Sequence, residues 1–127
     1  MGLERKVLSS GNGVDFPTSQ DKVTVRYTLG LYDSSKADNN FMGDVIMASY
    51  GPPQTIPLEP GSNIRGFLEG VPQMSLGEHA ILTFTPDMGL GEQGVYRRDG
   101  PLVTMNIPAH TNYVLDIELL AINDKKA

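Results

Sequence analysis

The cleanest alternation of apolar and polar positions runs through residues 22–31. Val23, Val25, Tyr27, Leu29 and Leu31 alternate there with Lys22, Thr24, Arg26, Thr28 and Gly30. A period of two sends successive side chains to opposite faces of a sheet, so the pattern predicts a strand with one buried face. Residues 79–85 repeat it, with Ala80, Leu82 and Phe84 set against Ile81, Thr83 and Thr85. A third strand is predicted over residues 113–122, ahead of a charged tail, Asp124-Lys125-Lys126. Lys6-Val7-Leu8 predicts a short edge strand.

Helical periodicity occurs once. Ile64, Phe67, Leu68 and Val71 fall at i, i+3, i+4 and i+7, on one stripe of a short amphipathic helix. Ser62 or Asn63 is the expected cap, and Gly70 with Pro72 the expected stop. Gly66 inside this helix costs about 1 kcal/mol relative to Ala, so tertiary packing must hold the helix in place. Several strands and one short helix define an α+β class, a helix laid on an antiparallel sheet. Two irregular stretches, about residues 36–61 and 88–112, are rich in Gly and Pro and long for loops of a compact domain. Met42, Met47, Met88 and Met105 fall in or beside them and suit a pliable apolar surface.

Composition narrows the choice. A chain of 127 residues fits one domain, and 39% apolar with 20% charged residues is a globular balance. A net charge of −5 with only short basic groups argues against a nucleic-acid partner. There is no cysteine, which excludes disulfides and thiolate metal sites. His79 and His110 are separated and lack a carboxylate cluster, so no metal site and no cofactor are expected. The N-terminal residues lack the apolar core of a signal peptide, Lys6 stands where a myristoylation motif needs Ser or Thr, and no apolar run would span a bilayer. The expectation is a cytoplasmic protein without a membrane partner.

Four ordered blocks carry a resemblance. They are Gly11-Asn12-Gly13-Val14-Asp15-Phe16-Pro17 with Val23-Thr24-Val25-Arg26-Tyr27-Thr28; Ile64-Arg65-Gly66-Phe67-Leu68-Glu69-Gly70-Val71; Met74-Ser75-Leu76-Gly77-Glu78-His79-Ala80 with Pro86-Asp87; and Pro108-Ala109-His110 with Leu115-Asp116-Ile117-Glu118-Leu119-Leu120. Together they resemble the FKBP family of peptidyl-prolyl cis-trans isomerases, small fungal members most of all. The second block is similar to that family's V-I-x-G-W-x-E-G signature. The resemblance spans nearly the whole chain and implies one FKBP-type domain over residues 1–127, a curved antiparallel sheet wrapped around the short helix with a hydrophobic pocket between them.

It also implies an activity, rotation about the imide bond that precedes proline, and a set of site residues. Tyr27 falls on the pocket tyrosine. Asp38 falls on the pocket aspartate when the strand is carried on without gaps, whereas an alternative alignment of Tyr32-Asp33-Ser34-Ser35 moves that role to Asp33. Ile64 matches a residue whose backbone N–H binds ligands, and Phe67 takes the place of the tryptophan at the pocket floor. Departures fall at Ala37, Leu90 and Leu115, each in place of an aromatic residue, and at Asn63, in place of an apolar one. The implied partners are proline-containing peptides or proteins, and the thinned walls predict reduced isomerase activity and weak binding of the macrolides tacrolimus and rapamycin. Two other readings share the fold: a non-enzymatic binding module, and a pocket adapted to other small-molecule chemistry.

Overall fold

The alternating stretch that opens the pattern forms the longest strand of the structure. The computed structural model describes residues 3–48, 52–59, 64–85, 95–96, 105–106 and 112–127. In chain order the elements are β1 (Leu3–Ser9), β2 (Lys22–Tyr32), β3 (Met42–Ala48), β4 (Gln54–Pro57), α1 (Arg65–Gly70), β5 (His79–Phe84), β6 (Val95–Tyr96), β7 (Met105–Asn106), β8 (Tyr113–Ile122) and β9 (Lys125–Lys126). The main sheet runs β1-β5-β8-β2-β3, with β4 also paired to β2 and β9 to β8, and the pairs are antiparallel. β6 and β7 pair with each other.

One face of this sheet forms the core. Register sets Leu29, Leu115 and Leu82 side by side across β2, β8 and β5, and Leu31, Tyr113 and Phe84 in the next row. Val23, Val25, Ala80, Ile117 and Leu119 complete a layer closed to solvent, while Tyr27 and Leu31 are half-buried against it. The expected alternation therefore holds on this face.

α1 lies directly on that layer. A Cβ added to Gly66 would sit 2.8 Å from three ring atoms of Phe84, and one added to Gly70 would sit 2.5 Å from Leu82 Cδ1. Glycine at i and i+4 lets the helix backbone touch the sheet, which is how packing offsets the poor helix propensity of Gly66. Phe67 and Val71 then point into the core, at 2% and 0% exposure.

The caps differ from expectation. The N-cap is Ile64, extended at φ −65° and ψ 151°, with no side-chain cap bond, while Ser62 and Asn63 lie outside the described residues. Nor does the chain stop at Gly70: Val71–Gln73 tighten into a 3-10 turn with Pro72 in its first turn, a place where the missing proline N–H costs nothing.

The first irregular stretch is largely ordered. It contains β3 and β4, which share one edge of β2, with β4 against residues 22–25 and β3 against residues 28–32. Bulges between Leu29 and Tyr32 break the alternation that would have marked β3 in the sequence. Residues 33–41 form the tip of the β2–β3 hairpin, with a 3-10 turn at Ala37–Asn39. This tip folds over the outer face of the sheet, where Met42, Ile81 and Val114 make a second small cluster with Tyr32. Ile81, expected on a polar face, is only 3% exposed for that reason. The charged tail is ordered too: β9 returns through Asn123, at φ 52°, and Lys125 Nζ meets Asp15 Oδ1 at 2.9 Å.

Candidate functional site

Phe67 anchors the candidate site. It comes from α1, is 2% exposed, and belongs to one apolar cluster with Leu58, Val71 and Leu115, on which half-buried Tyr27, Ile46, Ile56 and Ile64 also pack. The helix places it there because Gly66 and Gly70 bring the stripe of residues 64, 67, 68 and 71 down onto the sheet. Ile64 holds the N-terminal end of the stripe. Its carbonyl accepts from the N–H groups of Phe67 and Leu68, both at 3.1 Å, and its extended backbone leaves the helical ladder there.

Tyr27 sits where the pairing of β2 passes from β4 to β3, and it lies opposite Ile117 of β8. Leu115 lies between Leu29 and Leu82 on the inner face, at 2% exposure. Four of the expected site positions, Tyr27, Ile64, Phe67 and Leu115, are thus gathered on one apolar cluster.

Ala37 and Asp38 are not. They stand exposed in the 3-10 turn of the hairpin tip, beyond the end of β2. β2 ends at Tyr32, and the chain turns back beyond it. Asp33 lies at the same tip, where its Oδ1 accepts from Ser35 N at 3.0 Å and Ser35 Oγ at 2.7 Å. Those bonds, the hydroxyl first, hold its carboxyl below the ordinary value of 3.8. What β3 does bring to the cluster is Ile46. Asn63 and Leu90 lie outside the described residues.

Ile46, Ile56 and Leu58 were not anticipated. The signal for Ile46 was present in Asp44-Val45-Ile46, a β-branched pair with the Asn39-Asn40 turn shortly before it, but Gly43 and the bulges mask its period. Among the described residues no group of three or more His, Cys, Asp or Glu side chains could hold a metal ion, and no helix is long and apolar enough to cross a membrane. The site is an apolar cluster with a half-buried tyrosine packed on it, a surface chemically suited to an apolar ring such as that of proline.

An antiparallel sheet with a short helix on its apolar face, and a buried aromatic residue supplied by that helix, defines a class. The sequence profile of that class, described as FKBP-type peptidyl-prolyl cis-trans isomerase, matches residues 13–120. A peptidyl-prolyl cis-trans isomerase of Schizosaccharomyces pombe is 45% identical over 127 residues, the whole of both chains. FK506-binding protein 1A of Aspergillus fumigatus is 42% identical, again over the whole of both. Among solved structures, the three FKBP domains of wheat FKBP73 superpose with a TM-score of 0.72 at 26% identity, covering 95% of this chain and 44% of that one. A peptidyl-prolyl cis-trans isomerase of Pseudomonas syringae pv. tomato gives 0.71 at 25% identity, covering 96% of this chain and 76% of that one. This chain spans less than half the length of the wheat chain.

The chain belongs to the FKBP-type peptidyl-prolyl cis-trans isomerase family. It is an isomerase of that class, with the fold that the resemblance in the sequence implied.

Proposed function

We propose that isomerisation of Xaa-Pro bonds takes place on the cluster of Phe67, Tyr27, Ile64 and Leu115, with Ile46 and Ile56 as the remaining apolar wall. The observation that carries this reading is the burial of Phe67 at the junction of helix and sheet, in a cluster on which half-buried Tyr27, Ile46, Ile56 and Ile64 also pack. The uncatalysed barrier is the resonance of the amide, about 18–20 kcal/mol for a peptide bond. Nothing covalent has to happen. An apolar cleft that seats the prolyl ring lowers the barrier by holding the twisted imide more tightly than the planar one, tenfold for each ~1.4 kcal/mol of difference.

Activity is reduced relative to aromatic-rich relatives. Leu115 supplies no ring, and Leu90, by the family's pattern, supplies no hydroxyl, a loss of about 0.5–1.5 kcal/mol if that bond forms only in the twisted state. The same shortfall makes binding of tacrolimus and rapamycin weak, although related chains carry the name FK506-binding protein. Proline-containing peptides and proteins in the cytoplasm are the substrates, and assistance to protein folding is the role.

Isomer exchange of a short Xaa-Leu-Pro-Phe peptide, followed by NMR, tests this. Acceleration by the wild type that drops about tenfold in Phe67→Leu, a variant that keeps an apolar core residue, supports the site. Acceleration by folded Phe67→Leu and Phe67→Ala equal to that of the wild type would move the chemistry elsewhere.

A further inference from the structure

β1 closes one end of the main sheet, and among the described residues no strand pairs with its outer side. A free edge is a row of unpaired N–H and C=O groups, ready to pair with another chain. The two ends of this sheet differ in regularity. At the far end the edge of β2 is divided between β4, four residues long and ending in Pro57, and β3, whose register shifts twice. β1 keeps an unbroken register with β5 from Leu3 to Val7. It is the end that offers a straight template, and its Val7 is 42% exposed.

Residues 3–7 are complementary to themselves. Their ladder partners place Leu3, Arg5 and Val7 on the core side, beside Phe84, Leu82 and Ala80, and Glu4 and Lys6 on the outer side, beside Thr83 and Ile81. Residues directly opposite in an antiparallel pair share a face, so a twofold axis between two copies of β1 has to pass through a residue. An axis at Glu4 or at Lys6 sets that charge against its own copy. An axis at Arg5 sets Glu4 against Lys6 of the second copy, and Leu3 against its Val7, each pair formed twice. Arg5 then faces its own copy, but its guanidinium is already neutralised by Glu78, Nη1 to Oε2 at 2.7 Å, beside the start of β5 and away from the free edge. The two charges that would cross the interface are available. Glu4 makes no ion pair, and Lys6 has only a 3.3 Å bond to Asn40 Oδ1 at an exposed position.

We propose that the chain self-associates through β1, two copies pairing antiparallel about Arg5 so that the sheet continues from one protomer into the other. Backbone hydrogen bonds supply the attraction, and the Glu4–Lys6 pairs fix the register. The regular stretch is short, so the dimer is weak and forms at high protein concentration. Added salt weakens it further, because its cross-strand ion pairs lie on the exposed outer face.

Sedimentation equilibrium of the whole chain at low ionic strength, carried to millimolar concentration, tests this, with amide shifts of ¹⁵N-labelled protein followed over the same range. A monomer–dimer equilibrium is expected, with concentration-dependent shifts centred on residues 3–7. Glu4→Lys and Lys6→Glu should each weaken the dimer about tenfold, because both cross-strand pairs become repulsive. Mixing the two variants should restore association as a heterodimer, since each substituted charge then faces its opposite on the other chain. Isomerase activity stays at the wild-type level in both, which reports that they are folded. A monomer at every concentration would overturn the proposal and leave the edge to a different chain. So would a dimer that neither substitution weakens, a mixture of the two variants that stays monomeric, or shifts confined to residues 64–71.

Discussion

Replacing Gly66 by alanine sets two magnitudes against each other. In an exposed helix the change would stabilise by about 1 kcal/mol through propensity alone. Here the new methyl carbon would lie 2.8 Å from Cγ, Cδ1 and Cδ2 of Phe84, about 0.7 Å inside the closest comfortable carbon–carbon distance. The ring has nowhere to go: Phe84 is 1% exposed and stacked on Tyr113, itself 1% exposed, at 5.5 Å. Overpacking a rigid neighbour costs about 1–3 kcal/mol, and an immobile ring puts this case in the upper part of that range. The expected net is a loss of about 1–2 kcal/mol, seen as a fall in Tm of roughly 4–8 °C for a chain of this size. Lifting α1 also shifts Ile64 and Phe67, so isomerase activity should fall about tenfold, since small misplacements at a site are expensive. Urea unfolding of Gly66→Ala, Phe84→Leu and the double variant gives the cycle. The double variant should be less destabilised than the sum of the singles by about 1 kcal/mol, because leucine relieves the clash. A Gly66→Ala protein as stable as wild type would refute the reasoning and show that propensity outweighs the close approach.

Three further outcomes are expected. Phe67→Ala should cost about 3–5 kcal/mol of stability in urea titration and remove most of the catalytic acceleration, whereas Asp38→Ala, at the exposed hairpin tip, should leave both within error. Arg5→Ala should destabilise by about 1–3 kcal/mol, because it strips Glu78, only 4% exposed, of the guanidinium that meets its Oε2 at 2.7 Å and leaves the 3.3 Å bond from Ser75 N to Oε1; a loss below the error of the titration would count against it. Acid should weaken the join between the start of β2 and the β8–β9 turn. The Asn123 side chain and then the Thr18 N–H hold the Asp21 carboxyl below its ordinary 3.8, so its contribution is complete above that pH and lost as pH falls through the lower folded value. Thermal melts between neutral pH and the acid side of 3.8 should therefore fall less steeply for Asp21→Asn than for wild type, and parallel curves would exclude this linkage.

By itself the sequence determined the elements whose period is regular: β2, β5 and β8, the stripe of residues 64, 67, 68 and 71, and with them the α+β class and the family. Local spacing is enough where one face of an element is buried throughout, since register and face are then written into the order of residues. Tertiary structure alone decided the rest. β3 and β4 escape notice because bulges and a shared edge scatter their period, and Ile46 escapes with them. The placing of Asp38 by resemblance carries the chain straight along the sheet, whereas β2 ends at Tyr32 and the returning Met42 packs with Ile81 and Val114. Ile81 reads as one face of an alternation and Phe41 as a loop aromatic, and only the fold over the outer face buries the one beside Met42 and Val114 and stacks the other on Tyr32. A hairpin folding onto the back of its own sheet is a contact between residues some forty positions apart, and no local pattern carries it.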